Sequence, residues 1–297
     1  MGTQRKPAPR RRRWVAAGVA AAALLAAVLL FTGGRGYRTM RTLVRYYYVV
    51  IGDTGGPLTV VDRGSWSELE PGLELHRIDV TRPRNLSGVS LVAVRIDPAH
   101  YSFRVVTEPD RPAHVADAGP RLGAAAAIDG GYFDARGQPL GLLISDGESV
   151  AGQLATASGR GVFGVRDGVP FVAGAEGLAL DGVTQALQTT PVLVRDGVEV
   201  EGFDEPWRVD RRAGVCVDAE GRVLFAVTET VLNGLSFSEM AHLMARSVDR
   251  GGLGCQDAMA LDGGTSAQLW IDGHEEASVR GFADVPVFLL AVPVDSP

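Results

Sequence analysis

Two turns that each combine an aspartate with paired glycines constrain this chain more than any other feature. The first is Asp129-Gly130-Gly131-Tyr132-Phe133-Asp134, after the apolar run 124–128, and the second is Asp262-Gly263-Gly264-Thr265-Ser266, after the run 258–261. Each places a carboxylate at the end of an apolar run, and the glycines let the backbone turn sharply and direct N–H groups toward a bound anion. We therefore predict that both turns belong to one site.

Short strands separated by turns account for most of the chain after residue 70. Runs of β-branched and apolar residues predict strands at 73–80, 90–96, 101–107, 161–165, 192–194, 214–217, 223–227 and 258–261. Asp-Gly and related pairs at 146, 167, 181, 196 and 272 supply turns between them.

Two helices are predicted among these strands. Ser236 and Glu239 form a capping box at the start of one helix, and the glycines at 251–252 are expected to end it. A shorter helix is predicted over 115–122. Because strands outnumber helices and do not alternate regularly with them, we expect an α+β fold, with a mixed β-sheet core and a few flanking helices in a single globular domain. No G-x-G-x-x-G follows a strand, which excludes Rossmann-type dinucleotide binding.

The N-terminal segment indicates a membrane protein. Residues 1–13 carry six of the 29 basic residues and form a basic cytoplasmic tail, and the apolar stretch at 14–32 is predicted to be a transmembrane signal anchor. By the positive-inside tendency the rest of the chain lies outside the cytoplasm, at the cell membrane as a single-pass protein. A cleaved signal peptide and a twin-arginine signal are the alternatives.

Beyond the anchor, residues 33–70, rich in arginine and tyrosine, are predicted to form a juxtamembrane stalk, and residues 71–297 the globular domain. The start of the first globular strand is the alternative for the stalk. After residue 13 the chain has 23 basic and 35 acidic residues, a balance of -12, so we expect no nucleic-acid partner.

The order of motifs resembles the phosphodiester glycosidase family, whose members carry an NGGFF-like turn early and an LDGG-S turn late. Further matching segments are Pro139-Leu140-Gly141, Ser145-Asp146-Gly147, the stretch 212–218 and the helix start 234–241. The resemblance covers roughly residues 75 to 295. It implies a glycoside hydrolase that acts on phosphodiester-linked sugars, with a carbohydrate phosphodiester as its substrate.

The resemblance also implies roles for individual residues. Asp262 matches the aspartate of the late turn and would be the essential catalytic carboxylate, as nucleophile, as base or as electrostatic stabiliser. Asp129 would be a second catalytic carboxylate, and Arg212 would bind phosphate oxygens. The remaining substrate-binding residues would be Gly130, Gly131, Phe133, Gly263, Gly264, Thr265 and Ser266. Arg211, next to Arg212, is expected on the opposite, solvent-exposed face of a strand.

The chain departs from the family pattern at several positions. Asp129 replaces an asparagine that is more frequent there, and it adds a negative charge to a site that must accept phosphate. Val162 replaces a polar residue. Glu239 and Gln188 also match family positions and are possible site residues, although the capping box alone explains Glu239.

No metal-binding motif is found around the five histidines, and we predict no cofactor and no metal ligands. The acidic turns by themselves do not exclude Ca²⁺ or Mg²⁺. Cys216 and Cys255 can form a disulfide in an oxidising compartment or remain two buried thiols.

The function predicted from these residues is a membrane-anchored hydrolase that cleaves a glycosyl residue from a sugar phosphodiester in an exopolysaccharide or cell-wall polymer. Two alternatives remain. One is a non-catalytic envelope module that binds phosphate-bearing glycans, and the other is a metal-dependent phosphodiesterase.

Overall fold

A computed structural model of the protein describes residues 58–82, 88–203, 208–230 and 233–294. In these residues the fold consists mainly of strands. In chain order the strands are β1 Thr59–Asp62, β2 Ser67–Glu70, β3 Leu73–Thr81, β4 Val89–Ile96, β5 Tyr101–Thr107, β6 Ala126–Asp129, β7 Leu143–Ser145, β8 Glu148–Ala151, β9 Gly161–Arg166, β10 Val169–Gly174, β11 Val183–Thr189, β12 Val192–Arg195, β13 Val198–Glu199, β14 Ala213–Asp218, β15 Val223–Glu229, β16 Cys255–Ala260, β17 Leu269–Ile271 and β18 Val287–Pro293. The helices are α1 Val115–Arg121, α2 Phe237–Ala245 and a 3₁₀ turn at Val248–Arg250.

The strands form three sheets. The largest has nine strands in the order β1-β3-β4-β15-β14-β16-β12-β13, with β2 also paired to β3. A five-stranded sheet has the order β10-β9-β11-β7-β8, and a four-stranded sheet has the order β17-β6-β18-β5. Every strand pairing in the described residues is antiparallel. The expected mixed sheet is therefore wrong, whereas a single, mostly β domain with few helices is confirmed.

Tight hairpin turns explain part of this antiparallel arrangement. The Asp-Gly pairs at 146, 167 and 196 join β7 to β8, β9 to β10 and β12 to β13, and both residues of each pair have positive φ. A two-residue turn with this backbone matches the twist of an antiparallel hairpin. Parallel neighbours would need crossover connections of a dozen or more residues.

The main core lies where the three sheets meet. Phe103 of the four-stranded sheet contacts Phe163 of the five-stranded sheet, with ring centroids 6.1 Å apart, and Phe225 of the nine-stranded sheet, at 6.3 Å, both edge to face. All three rings are buried. Each buried aromatic side chain contributes about 1.5–3 kcal/mol, so the three phenylalanines help hold the sheets together.

The helices cover two outer faces of the sheets. Helix α2 packs its buried residues Met240, Leu243 and Met244 against the nine-stranded sheet, and α1 packs against Trp270 and Phe288 of the four-stranded sheet. The predicted capping box of α2 is confirmed, since the Ser236 side chain accepts from the Glu239 N–H and the Glu239 side chain accepts from the Ser236 N–H.

Helix α2 ends earlier than predicted. It stops at Ala245, and Gly251 instead ends the following 3₁₀ turn with φ of 80°. A Cβ at Gly252 would lie 2.2 Å from the carbonyl oxygen of Arg246. The chain thus folds back onto the helix end, which leaves no room for a further helical turn.

The N-terminal part of the described chain belongs to the sheet. Strands β1 and β2, at 59–62 and 67–70, pair with β3, so this end of the predicted stalk 33–70 is globular and the domain begins before residue 71. The predicted tail 1–13, the anchor 14–32 and the stalk up to residue 57 lie outside the described residues. Within the described ranges, no helix has the length and apolar character needed to cross a membrane.

The two cysteines form a disulfide. Cys216 on β14 and Cys255 on the neighbouring strand β16 are bonded, with their Cα atoms 5.9 Å apart. The bond therefore connects the central strand of the large sheet to the strand that leads into the late acidic turn.

Candidate active site

The two acidic turns lie side by side. Strand β6 ends at Asp129, and the chain leaves β16 at Ala260 and continues through Leu261 to Asp262. The Asp262 N–H donates to the Gly130 carbonyl at 2.9 Å, and the Leu261 N–H donates to the Ala213 carbonyl at 2.8 Å. The structure thus brings the two turns together, as predicted, and places them beside Ala213, the residue that follows Arg212.

Asp129 is completely buried at the base of the early turn. Its Oδ1 accepts the Gln268 N–H at 2.8 Å, and its Oδ2 has no hydrogen-bond partner among the described residues. Burial raises the pKa of Asp129 well above its ordinary value of 3.8, and the charge of Asp262 raises it further, while the Gln268 N–H and the Arg211 charge act in the opposite direction. A carboxyl group in such surroundings favours its neutral form.

Asp262 differs from Asp129 in exposure. It is only partly buried, whereas Asp129 is completely buried. The predicted role of Asp129 as a second catalytic carboxylate stays a prediction, and its complete burial leaves its carboxyl group no exposed surface for direct contact with a sugar. Asp262 is the partly exposed carboxylate of the pair.

The glycines of both turns are required by close packing. A Cβ on Gly131 would lie 2.8 Å from Leu187 Cδ1, and one on Gly263 would lie 2.9 Å from the Arg211 carbonyl oxygen. The Gly130 N–H donates to Val287 O and the Gly264 N–H to Arg211 O, both at 2.9 Å. The expectation that these two N–H groups face an anion is therefore wrong, since the fold already uses them.

The other residues of the late turn also contact protein. The Thr265 carbonyl accepts the Phe282 N–H at 2.8 Å, and the N–H of the buried Ser266 donates to the Gly263 carbonyl at 3.3 Å. These bonds hold the turn in one conformation. Substrate contacts by the Thr265 and Ser266 hydroxyls stay predictions.

Arg212, just before β14, has its side chain held by neighbouring groups. Its Nε donates to the Leu235 carbonyl at 2.9 Å, its Nη2 donates to the Arg208 carbonyl at 2.9 Å, and its guanidinium carbon lies 3.7 Å from the centre of the Phe237 ring. The side chain is buried. Its guanidinium is therefore oriented before any ligand arrives.

Arg211 is buried too, which corrects the expectation that it faces solvent. Its Nη1 donates to the Thr230 carbonyl, and its Nη2 donates to the carbonyls of Ala267 and Arg280, at 2.7–2.9 Å. Both arginines precede β14, so strand alternation does not separate their faces. Arg211 links three loops around the late turn.

Tyr132 places the early turn next to the charged groups. Its hydroxyl donates to the Thr190 carbonyl at 2.8 Å. Burial raises the pKa of Tyr132 to about 12, the carboxyl groups of Asp262 and Asp129 raise it further, and the guanidinium groups of Arg212 and Arg208 lower it. The side chains of Asp262, Arg212 and Arg208 therefore all act electrostatically on this one phenol group.

Phe133 has a packing role. It forms an isolated bridge with Pro139 and packs, partly buried, against the apolar cluster beneath α1. Its contact with substrate stays a prediction.

Gln188 and Glu239 each bind neighbouring backbone or side chains. The buried Gln188 accepts the Ala155 N–H at 3.0 Å and donates to the Ala155 carbonyl at 2.7 Å, which fixes the loop before β9. Glu239 forms the capping box and also pairs with Arg82. Both side chains stabilise structure around the site.

Val162 lies opposite Gln188 in the five-stranded sheet and is fully buried with Leu142, Ile144 and Ala186. An apolar residue fits this cluster, so the departure at 162 is a core feature here.

Comparison with known proteins agrees with this geometry. The profile of the family described as phosphodiester glycosidase matches residues 122–290, a stretch that includes both acidic turns and Arg212. The chain belongs to the phosphodiester glycosidase family. It is therefore a glycoside hydrolase of the class that acts on phosphodiester-linked sugars, as the resemblance implied. A search of curated proteins gives no match.

Solved structures share the phosphodiester glycosidase fold. The catalytic domain of zebrafish N-acetylglucosamine-1-phosphodiester alpha-N-acetylglucosaminidase, auto-inhibited by its pro-peptide, superposes with a TM-score of 0.58 at 20% identity, over 80% of this chain and 87% of that one. A hypothetical protein from Synechocystis superposes with a TM-score of 0.52 at 14% identity, over 80% of this chain and 64% of that one.

Three residues of this phosphodiester glycosidase site were not predicted. Tyr132 is an aromatic residue within the early turn, and this position could have identified it as a site residue. From the sequence, we assigned substrate binding to the neighbouring Phe133 instead. Arg208 gave no local signal, because only the folded chain brings its charge to Tyr132. Gln268 lies two residues after the late turn and provides the N–H that holds Asp129.

In the described ranges, no group of three or more His, Cys, Asp or Glu side chains is arranged to hold a metal ion. His114 lies 3.3 Å from Gln268 Oε1 through its Nδ1 and 3.6 Å from Asp284 Oδ1 through its Nε2.

Proposed function

We propose that this phosphodiester glycosidase is anchored in the cell membrane and cleaves a glycosyl residue from a sugar phosphodiester in an exopolysaccharide or cell-wall polymer, outside the cytoplasm. The observation that carries the catalytic part is that a partly exposed carboxylate, Asp262, and the preoriented guanidinium of Arg212 both act electrostatically on the same side chain, Tyr132. The two groups have the opposite charges that the reaction needs.

The reaction breaks the bond between the anomeric carbon and a phosphate oxygen. Positive charge builds up on the sugar ring while the bond breaks, and the electron pair leaves with the phosphate. Water supplies a hydroxyl to the sugar, its remaining proton goes to the leaving phosphate or to solvent, and the second product is a phosphate monoester. Asp262 would stabilise the cationic ring or activate the water, and Arg212 would stabilise the departing phosphate.

The Arg212 environment supports the phosphate role. A guanidinium binds phosphate best when its orientation is fixed, because less rotamer entropy is lost on binding. The bonds to Leu235 O and Arg208 O and the Phe237 ring fix that orientation. Tyr132, with its pKa raised to about 12, is neutral at physiological pH and adds no negative charge.

Two features support the proposed location. The basic tail and apolar run at the N-terminus are typical of a single-pass anchor that leaves the following chain outside. The Cys216–Cys255 disulfide suits an oxidising compartment. A membrane-tethered enzyme there meets polymers of the cell envelope, which is the basis for proposing such a polymer as substrate.

The test is release of free sugar from a panel of glycosyl-1-phosphodiesters by the full-length protein in detergent. Asp262→Asn is the diagnostic variant, and Asp272→Asn, in the exposed Asp-Gly turn after β17, is its matched control. We expect sugar and phosphate monoester in equal amounts from the wild type and from Asp272→Asn. Loss of a general acid, base or nucleophile should reduce kcat of Asp262→Asn by about 10²–10⁴.

Other outcomes identify the alternatives. Activity that disappears with EDTA and returns with Mg²⁺ or Ca²⁺ would indicate a metal-dependent phosphodiesterase. Saturable binding of the diesters without turnover would indicate a binding module. Equal turnover by Asp262→Asn and wild type would disprove the assignment of Asp262.

A further inference from the structure

The site contains two carboxyl groups, although its proposed ligand is an anion. Asp129 and Asp262 belong to adjacent turns joined by the hydrogen bond from the Asp262 N–H to the Gly130 carbonyl. If both carboxyl groups were ionised, each would repel a phosphodiester. The structure around Asp129 indicates how this repulsion is avoided.

The two oxygens of Asp129 have unequal surroundings. Oδ1 accepts a main-chain N–H from Gln268 at 2.8 Å, whereas Oδ2 is buried and has no hydrogen-bond partner among the described residues. An ionised carboxylate offers about four acceptor positions and would leave most of them unsatisfied here. Burial of such a charge without partners costs several kcal/mol or more.

We propose that Asp129 is a neutral carboxylic acid in the working enzyme, with its proton on Oδ2, so that of the two carboxyl groups of the acidic turns only Asp262 is negatively charged and the site can accept a phosphodiester anion. This inference rests on the proposed function for the nature of the anion. Asp129 is then a positioning residue. It holds the early turn to Gln268 through Oδ1, and its lack of charge sets the affinity of the site for anions.

Two charged groups of the described residues act on Asp129, together with neutral groups of the neighbouring elements. Asp262, on the late turn, raises the pKa of Asp129, and Arg211, before β14, lowers it, as does the N–H of Gln268. Tyr132, on the early turn, is neutral. The main-chain N–H of Asp129 itself also lowers the pKa, but burial outweighs all three lowering contributions, so the net direction is upward.

Ionisation of Asp129 and binding of an anion must oppose each other. By thermodynamic linkage, a bound anion lowers the acid dissociation constant of Asp129 by the same factor by which ionisation of Asp129 weakens anion binding, and the pKa of Asp129 rises accordingly. Each pKa unit of this coupling corresponds to about tenfold in affinity. Anion affinity should therefore fall at alkaline pH, and Asp129→Asn should remove that fall, because an amide keeps an acceptor oxygen for the Gln268 N–H and does not ionise.

The first test measures the protonation of Asp129 without any substrate. The ¹³C carboxyl signal that is missing from Asp129→Asn is assigned to Asp129 and followed with pH in the full-length protein in detergent. A neutral-acid chemical shift at neutral pH is expected. A carboxylate shift at that pH would overturn the proposal.

The second test is the pH dependence of stability. A carboxyl whose folded-state pKa lies above its unfolded value of 3.8 contributes stability that is present below this value and is lost as pH rises toward the folded-state pKa. The stability of Asp129→Asn relative to wild type should therefore rise from acid to neutral pH. The matched control is Asp218→Asn, since Asp218 is buried but paired with Arg222 at 2.7 Å and should lose stability at neutral pH. If Asp129→Asn behaved like Asp218→Asn, Asp129 would be ionised and the proposal wrong.

The third test uses dimethyl phosphate, an anion whose charge does not change over the pH range. Its affinity for the wild type should fall at alkaline pH, by about tenfold for each unit by which the bound anion raises the pKa of Asp129. Its affinity for Asp129→Asn should not fall. Equal pH profiles would contradict the proposal. If no glycosyl phosphodiester is hydrolysed but the carboxyl signal and the stability profiles behave as expected, the proposed function fails while the neutral state of Asp129 stands.

Discussion

The main-chain N–H of Asp262 donates a hydrogen bond to the carbonyl oxygen of Gly130 at 2.9 Å. This bond joins the end of the four-stranded sheet, at β6, to the end of β16 in the nine-stranded sheet. It places the partly exposed Asp262 directly beside the buried Asp129. The alignment of the two sheets therefore determines the position of the proposed catalytic carboxylate.

Gly130→Ala should disturb this alignment. A Cβ at 130 would lie 2.6 Å from Val287 Cγ1 and 3.1 Å from the Val287 carbonyl carbon, so β18 or the early turn must move. Overpacking of this kind costs about 1–3 kcal/mol, and displacement of the Gly130 carbonyl should lower kcat. Urea unfolding and sugar release measure the two effects.

The control is Gly88→Ala, where the added Cβ would approach, among the described residues, the Val80 carbonyl oxygen at 3.3 Å. This variant should retain stability and activity. If Gly130→Ala matched it in both measurements, the turn would tolerate movement and the close contact would not determine the site.

Arg212→Lys should weaken substrate binding more than folding. Lysine cannot reproduce the two bonds to Leu235 O and Arg208 O together with the stacking on Phe237. A hydrogen bond to a charged group contributes about 1.5–3 kcal/mol, so we expect kcat/KM to fall about tenfold to a hundredfold. Steady-state kinetics on the released sugar provide the measurement.

Arg222→Lys serves as the comparison, because Arg222 pairs with Asp218 and Glu220 at a hairpin of the large sheet. Its kcat/KM should stay close to that of the wild type. A similar loss in both variants would mean that Arg212 acts through general stability.

Much of the local structure was predictable from the sequence. Strand β5 begins and ends where predicted, the Ser236 and Glu239 capping box forms, and the Asp-Gly hairpins have the expected backbone. These features depend on residues close together in the chain. Periodicity and turn residues therefore carry enough information to predict them.

Features that depend on distant parts of the chain were not predictable. Arg211 was expected in solvent, but loops at 230, 267 and 280 close over it and accept its hydrogen bonds. The antiparallel pairing of every described strand, the role of Tyr132 and the pairing of Cys216 with Cys255 likewise require the folded arrangement. A single sequence does not specify which strands become neighbours, so these contacts leave no local signal.

Removal of the Cys216–Cys255 disulfide should lower stability and leave the site geometry intact. The bond closes a loop between residues 39 positions apart and joins β14 to β16. Loss of such a bond typically costs about 2–4 kcal/mol. Urea unfolding of the double variant Cys216→Ala and Cys255→Ala should show this loss, and reductant should produce a similar loss in the wild type. The double variant should not respond to reductant. If reductant lowered its stability as well, the loss of stability in the reduced wild type would not come from this disulfide alone.

His76 should make the fold less stable in acid. It is buried on β3, its Nε2 lies 2.6 Å from the Arg63 carbonyl, and its Nδ1 has no partner among the described residues. Burial lowers its pKa below 6.5 and the charge of Arg95 lowers it further, against the opposing effect of the Arg63 hydrogen bond. The unfolded chain therefore binds a proton at this histidine more readily than the folded chain does.

It follows from the direction of this shift that stability is retained above pH 6.5 and is lost as pH falls from 6.5 toward the folded-state pKa and below it. His76→Gln, whose amide can still donate to the Arg63 carbonyl, should flatten this part of the stability profile. His242→Gln, at an exposed histidine of α2, should leave it unchanged. Urea unfolding at a series of pH values gives the profiles. If His76→Gln and wild type lost stability in parallel over this range, the acid sensitivity would come from other groups, because a neutral amide at 76 has no proton to gain.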